Sequence, residues 1–470
     1  MSAVPKTEQA QGAATAEALL DALAGFVTGI RLNDIPEAVR RQARLNVLDT
    51  VGCMAAGATL DESQKLLAAE KSRGGPAEAA VLGMRTRLPV EAATRVNAYM
   101  GDIFELNDLI GGHASIATVT PGLALAEAIG ASGAQLVEAV VAGVETVCRV
   151  HGGFYAHQKP FTETAMVQVI VASAIGAAAT ASKLLGFDRE RTRQALAMAG
   201  ALTSWGPAEL VFGEGNTLKP ILFGGWPGSI GLVAANYARH GLTGASRLLE
   251  SPIGYYATVA RRYDRDVVLD FANWRLAQPR RKLHACCGYT HSAIDAVGRL
   301  RRDGALPETG KIRVSVPAYI IPAVAKFGVP PTTPNEARFN LEYCLAQAAT
   351  GADIILPEHS TDCDRHLARP EIRDAMARFQ TVVEPSFGHY RYSRVEAFDA
   401  DGALARRLDY DAPRGSEWNP MPDDEVRGKF RRLSEPLMQP ERLDDYVARL
   451  DGLERSPDCG WLIGSFDPAT

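Results

Sequence analysis

Side chains that can transfer protons are concentrated in residues 97–115, which read NAYMGDIFELNDLIGGHAS. Asp102, Glu105 and Asp108 come first, and a Gly-Gly pair then separates them from His113. Acids three residues apart on a helix share one face, and a Gly-Gly turn lets the chain fold back over the helix end. We therefore expect His113 beside the acids, where a carboxylate and an imidazole can transfer protons near neutral pH. Taken alone, the segment fits a solvated acidic helix end better than a catalytic site.

A second candidate is Lys219, in the Gly-rich and apolar stretch GNTLKPILFGGWPGS at 215–229. Burying a lysine is costly unless its ammonium group meets an anion, so a buried Lys219 would be an anion-binding group. A surface lysine at the start of a helix fits the same residues equally well.

The third candidate is RRKLHACCGYTHSAIDA at 280–296, which places three basic residues, two histidines and two cysteines within twelve positions. The residues after Gly288 are predicted to open a helix, and helix N-termini attract anions. Anion binding is therefore our first interpretation, and an inert linker is the second. Zinc comes third, because adjacent cysteines rarely share one tetrahedral metal and no second pair follows. A Cys286–Cys287 vicinal disulfide is a further, uncommon alternative.

Together these segments supply cations for carboxylates, histidines for proton transfer and acids to orient them. The sequence contains no CxxC pair, no HExxH and no Walker-type phosphate loop, so we predict neither a metal nor a cofactor. This combination is typical of chemistry next to a carboxylate: proton abstraction with loss of water, proton return, or decarboxylation. Lysine charges and helix-end amides would stabilise the enolate-like state.

The overall composition excludes some classes of partner. The 470 residues carry a net charge of −5, and no basic stripe is interleaved with aromatic residues, which argues against nucleic-acid binding. Apolar runs end well short of the roughly 20 residues that span a bilayer. The seven cysteines are an odd number spread over a long chain, which fits free thiols in a reduced compartment. We therefore expect a cytoplasmic protein with no nucleic-acid partner and no membrane partner.

Apolar residues spaced by three and four predict a large all-helical domain. This domain would position the first two candidate segments, 97–115 and 215–229. Many of its helices are rich in Ala and Gly, and small residues allow helices to approach closely in a buried core. The predicted helices span 17–31, 36–57, 90–107, 121–130, 134–150, 163–186, 189–203, 217–240 and 244–249.

The pattern changes near residue 276. Residues 311–320 alternate and are rich in β-branched residues, which predicts a strand, and 391–410 predict a hairpin that turns at Asp401-Gly402. Further helices are predicted at 289–303, 335–350, 368–379, 423–433 and 440–453. We therefore predict a mainly α protein, in which 1–275 and 414–470 form the all-helical domain and 276–413 form a smaller, inserted α+β lid domain.

The order and spacing of several stretches resemble the MmgE/PrpD family, which includes 2-methylcitrate dehydratase, cis-aconitate decarboxylase and iminodisuccinate epimerase. The resemblance runs from about residue 17 to 455, and no single stretch carries it. The matching stretches are IPEAVRRQARLNVLDTVGCMAAG, NAYMGDIFELND with GGHAS, PGLALAEAIGASGAQLVEAVVAGVE, ASKLLGF, LKPILFGG, GLTGASRLLES, KLHACCGYTHSAIDA and NEARFNLEYCLA.

The resemblance implies a cofactor-free enzyme, usually a homodimer, with its active site between a helical domain and an α+β lid. The residues that match family positions are His113, Lys219, Lys282, His291 and Asp108, with Glu105 a close substitute for another acid. The chain departs from the family at a histidine that takes part in proton transfer, because ungapped alignment from ASKLLGF places Val167 there. His157 and Tyr155 lie nearby in the sequence and replace it only if the loop shifts.

We predict a lyase, with loss of water from a small di- or tricarboxylate as its first reaction. The predicted catalytic residues are His113, Asp108, Glu105 and His291. The predicted substrate-binding residues are Lys219, Lys282, Cys287 and Tyr155. His113 is the leading base or acid, tuned by Asp108 and Glu105, and His291 donates to the leaving group. The alternatives are an epimerase, isomerase or decarboxylase of a similar acid, and a non-catalytic carboxylate-binding pseudoenzyme.

Overall fold

The computed structural model describes residues 17–203, 206–213 and 216–466, and it is mainly helical, as predicted. A short β-hairpin, β1 (Ala79–Val81) with β2 (Thr86–Leu88), interrupts the helices of the first 270 residues. These helices are α1 (Leu19–Gly29), α2 (Glu37–Ala58), α3 (Asp61–Lys71), α4 (Val90–Asp102), α5 (Ala114–Ile129), α6 (Gly133–Tyr155), α7 (Phe161–Thr164), α8 (Val169–Leu184), α9 (Arg189–Leu202), α10 (Ala208–Phe212), α11 (Trp226–Arg239), α12 (Tyr255–Val259) and α13 (Arg265–Leu269).

The core of this part forms around α8, which is buried along almost its whole length. It packs against α5, α6, α9 and α11. At its crossing with α6 the contact is made by glycines, since a Cβ on Gly176 would overlap Val147 and one on Gly143 would overlap Thr180. The expectation that small residues permit close helix packing is confirmed at this crossing.

The remaining residues contain a four-stranded sheet in the order β4-β3-β5-β6. Strand β3 (Ile312–Val316) pairs in parallel with β4 (Phe379–Val383) and antiparallel with β5 (Ser393–Phe398), which forms the predicted hairpin with β6 (Leu404–Tyr410). The helices of this part are α14 (His291–Arg302), α15 (Ile321–Val324), α16 (Pro334–Arg338), α17 (Leu341–Ala349), α18 (Glu358–Thr361), α19 (Cys363–Ala368), α20 (Pro370–Arg378), α21 (Asp423–Ser434), α22 (Pro440–Asp451) and α23 (Trp461–Gly464).

The last helices return to the first ones. Helix α21 packs along α2, where a Cβ on Gly52 would lie 3.2 Å from Phe430, and the buried Lys429 ammonium is 2.8 Å from the Asp49 carboxylate. An inserted module requires such a return of the chain. The division into a helical domain and an inserted lid stays a prediction.

Several predicted boundaries were wrong. The helix predicted at 90–107 ends at Asp102, and the one predicted at 163–186 is broken into α7 and α8. Residues 244–249 form turns instead of a helix, because so short a segment gains too few hydrogen bonds to offset the cost of nucleation. A π-helical turn, Ile221–Gly225, precedes α11.

Candidate active site

The segment that follows α4 is a strained loop and not a helix. Glu105 and His113 adopt left-handed backbone conformations, with φ of 55° and 80°. Non-glycine residues rarely adopt such angles, and they persist where the surrounding structure holds them, often at functional sites. The argument that the acids share one helix face was therefore wrong, because Glu105 and Asp108 lie beyond the end of α4.

The acids nevertheless meet the predicted lysines in a buried cluster. Lys219 Nζ lies 2.8 Å from Asp102 Oδ2 and also contacts Glu105, while Lys282 Nζ lies 2.5 Å from Glu105 Oε2. These four side chains are 3% exposed or less. Two ammonium groups thus face two carboxylates, which offsets much of the cost of burying each charge. Burial lowers the pKa of Lys219 to about 8 and also lowers the pKa of Lys282.

His113 is connected to this cluster through Asn107. The Asn107 amide donates to Asp102, so its Oδ1 faces His113 Nδ1 at 2.5 Å. Because Asn107 Oδ1 is an acceptor, the proton of the neutral imidazole is assigned to Nδ1, and Nε2 is the basic nitrogen of the ring. Burial, followed by the charge of Lys282, lowers the pKa of His113 well below its usual value, so the imidazole is neutral and can accept a proton.

Asp108 does not contact His113, although we predicted that it would tune it. Its carboxyl group accepts hydrogen bonds from the Ser115 backbone N–H (3.3 Å) and hydroxyl, in the first turn of α5, and from Asn46 Nδ2 at 3.4 Å. The residue that is hydrogen-bonded to His113 is Asn107, which the sequence argument did not select. Burial raises the pKa of Asp108 to about 7.

The raised pKa of Asp108 predicts a pH dependence of stability. The folded state retains this proton between about pH 4 and pH 7, where an unfolded aspartate has lost it, so folding is favoured at low pH. Stability should fall as pH rises through this window, by at most about 1.4 kcal/mol per pH unit from this group. Urea unfolding should show that the free energy of unfolding decreases from pH 5 to pH 7 in the wild type, and that it decreases less in Asp108→Asn. The exposed Asp374→Asn is the control, and equal slopes in wild type and Asp108→Asn would contradict the assignment.

A cavity of about 120 Å³ opens beside His113. Apolar walls come from residues such as Leu109, Val169 and Phe223, whose ring lies 4.6 Å from that of His113. The lining residues that carry polar side chains are Glu105, His113, His151, Tyr155, Gln158, Gln168, Arg280, Cys287, Tyr289 and Tyr390.

His151 is a second cavity histidine, and the sequence argument missed it. The helix predicted to end at 150 continues to Tyr155, which places His151 and Tyr155 four residues apart on one face of α6, with ring centroids 4.9 Å apart. Burial lowers the pKa of His151 to about 3, so it is neutral at physiological pH. Val167 also lines the cavity, whereas His157 does not. The signal in the sequence was the four-residue spacing of His151 and Tyr155.

Arg280 is the one cationic side chain among the described residues that line the cavity. Its guanidinium donates to Glu417 at 3.0 Å and lies over the Trp418 ring. A guanidinium has five N–H donors, so the bonds to Glu417 and to the Tyr390 hydroxyl leave others for an anion. Lys219 and Lys282 are not lining residues, and both of their ammonium groups contact Glu105, which does line the cavity.

The other predicted residues fall into two groups. Tyr155 and Cys287 line the cavity, and burial raises the pKa of both, so each keeps its proton at neutral pH. His291 lies outside this lining. Its Nε2 is 3.3 Å from the Cys286 carbonyl oxygen, and its ring packs edge-on against His284.

Cys286 and Cys287 carry free thiols, so the vicinal disulfide does not form. Among the residues that the structure describes, no three His, Cys, Asp or Glu side chains are grouped as metal ligands would be. In the same part of the chain, no helix combines the length and the apolar composition of a membrane-spanning segment.

Two regions of the chain match two domains of one family. Residues 21–267 match the MmgE/PrpD N-terminal domain, and residues 284–451 match the MmgE/PrpD C-terminal domain. The chain belongs to the MmgE/PrpD family. The residues that line the cavity come from both matched regions, while Arg280 and Lys282 lie in the segment between them.

Curated members of the MmgE/PrpD family are similar over nearly the full length of the chain. A cis-aconitate decarboxylase-like protein of Aspergillus oryzae is 25% identical over 96% of this chain and 97% of its own length. The cis-aconitate decarboxylases of Mus musculus and Homo sapiens are 24% and 25% identical, each over 95% of this chain and over 93% and 94% of their own lengths.

Proposed function

We propose that this member of the family is a cofactor-free lyase that acts on a small di- or tricarboxylate by proton transfer next to a carboxylate. The observation that supports it most is the cavity in which the neutral His113 and His151 face Arg280. A guanidinium binds a carboxylate through paired hydrogen bonds, and a neutral imidazole accepts a proton. Named relatives of nearly the same length act on one such acid, cis-aconitate.

In this proposal the substrate carboxylate binds Arg280, and His113 Nε2 exchanges the proton. The anion would raise the pKa of the neighbouring imidazoles, because a nearby negative charge favours their protonated form. Substrate binding can therefore convert a neutral imidazole of the cavity into an acid. Lys219 and Lys282 neutralise Glu105 and Asp102 and so hold the hydrogen-bonded chain through Asn107 to His113. This gives both lysines a positioning role in place of direct carboxylate binding.

Loss of carbon dioxide becomes the first candidate reaction, and loss of water, our initial prediction, becomes the second. The names of the relatives favour decarboxylation. The apolar walls favour it as well, since a carboxylate in poorly solvated surroundings is destabilised relative to carbon dioxide.

Proton NMR in D₂O distinguishes the candidate functions. The purified protein is incubated with citrate, 2-methylcitrate, cis-aconitate, iminodisuccinate, tartrate and malate. Carbon dioxide release with a deuterated product identifies a decarboxylase, new vinyl signals from a saturated acid identify a hydro-lyase, and deuterium exchange alone identifies an epimerase. Binding of these acids without turnover of any of them would overturn the lyase and support the pseudoenzyme.

The homodimer implied by the family resemblance also stays a proposal. Trp226 and Tyr237 are 45% and 41% exposed on α11, and eleven residues, or about three turns, place them on one face of that helix. Exposed aromatic residues on one face are typical of a subunit interface. Sedimentation equilibrium would measure the dimer, and a monomer at micromolar concentration would contradict it.

A further inference from the structure

A second cavity is lined in part by α16. It has a volume of about 260 Å³ and shares no lining residue with the first cavity. Its walls include Leu60, Tyr99 and Ile103 from the helical part, with Asn335 and Arg338 from α16. The next residue, Phe339, lines the first cavity, so the two cavities adjoin the same short segment.

Arg338 is a buried cation that forms no salt bridge with a carboxylate of the described residues. The residue is 4% exposed, its Nε donates to Ser360 Oγ at 3.0 Å, and its guanidinium lies over the Phe104 ring. Its two terminal nitrogens donate to no group among the described residues. Burial lowers the pKa of Arg338 to about 10, which leaves it charged at neutral pH. A buried charge of this kind is costly unless an anion accompanies it.

Asn335 provides a second unused polar group on the same wall. It is 8% exposed, and within the described part of the chain its side-chain amide makes no hydrogen bond. Arg338 and Asn335 therefore line one cavity with donor groups that no described residue accepts from. A guanidinium with two free terminal nitrogens matches the two oxygens of a carboxylate or a phosphate.

We propose that this second cavity binds a small oxyanion, a carboxylate or a phosphate, on the two terminal nitrogens of Arg338 with the Asn335 amide as an additional donor. Glu62 lines the same cavity and is close enough to interact with Arg338 electrostatically. Its negative charge opposes a bound anion and weakens the site.

This assignment is tested by two substitutions that preserve the size of the side chain and are expected to change anion affinity in opposite directions. Removing the Glu62 charge with Glu62→Gln should tighten anion binding roughly tenfold, as expected for one nearby charge at a partly solvated site. Introducing a charge with Asn335→Asp should weaken binding by a similar factor. Arg338→Gln should abolish binding, and the other two variants keep the test decisive if that protein does not fold.

Isothermal titration with inorganic phosphate and, separately, with succinate measures these affinities. All titrations use the Arg280→Gln background, which removes the cation of the first cavity, so the test does not depend on the proposed lyase activity. Opposite shifts with either anion support the proposal, and the anion that responds identifies the ligand class. Equal affinities in the parent, Glu62→Gln and Asn335→Asp proteins, or no binding of either anion to any of them, would overturn it.

Discussion

Replacing His113 with alanine is expected to lower turnover by roughly a hundredfold or more, the usual effect of losing a proton-transfer group. The ring nitrogen that accepts the proton would be lost, while the acid–lysine cluster behind it would remain. Turnover of whichever acid the wild type consumes is the measurement, with circular dichroism and thermal unfolding to establish that the variant is folded.

The backbone of His113 makes a second variant useful. Its φ of 80° is better tolerated by asparagine than by most residues, so His113→Asn removes the imidazole with little added strain. His157→Ala is the matched control, because this histidine lies near the site in sequence but does not line the cavity. A rate equal to wild type in both His113 variants would remove His113 from the mechanism.

The second large effect concerns stability. Glu105→Gln leaves the buried Lys219 and Lys282 facing one carboxylate, that of Asp102. Breaking a buried ion pair from one side typically costs about 3–5 kcal/mol in the free energy of unfolding. We expect a loss of this size at pH 7, measured by urea unfolding.

This loss should shrink at higher pH. The pKa of Lys219 is already lowered to about 8, and without Glu105 it falls further, so above pH 8 the lysine loses its charge and the repulsion is relieved. The difference in the free energy of unfolding between the variant and wild type should therefore be smaller at pH 9.5 than at pH 7. Glu308→Gln, at an exposed loop position, is the control. A loss below about 1 kcal/mol at pH 7 would contradict a strongly coupled cluster.

Much of the fold was predictable because it follows from local patterns. Apolar spacing located α1, α2, α6, α9, α21 and α22 to within a few residues, and the Asp401-Gly402 turn located the β5–β6 hairpin. The end of α4 was not predictable in this way. The sequence beyond Asp102 keeps a helical pattern, and the left-handed backbone at Glu105 depends on tertiary contacts, with lysines 114 positions away or more.

The site was predictable in part for the same reason. Residue types identified Glu105, His113, Lys219 and Lys282 as a group, and the structure brings these four together. Sequence could not show which of them face a ligand, because Lys282 and Glu105 meet across 177 positions and only the fold shows that Glu105 lines the cavity while Lys282 does not. Arg280 belongs to the third candidate segment, as does Lys282. Only the folded structure shows that Arg280 lines the cavity and Lys282 does not.

The central claim, that the cavity beside His113 binds a carboxylate, is tested most directly by a crystal structure with tricarballylate. This tricarboxylate carries no hydroxyl group to eliminate. We predict that one carboxylate accepts hydrogen bonds from Arg280 and that a methylene carbon lies next to His113 Nε2. Tricarballylate bound elsewhere with this cavity empty, or carboxylates bound to Lys219 and Lys282 after displacement of Glu105, would contradict the account.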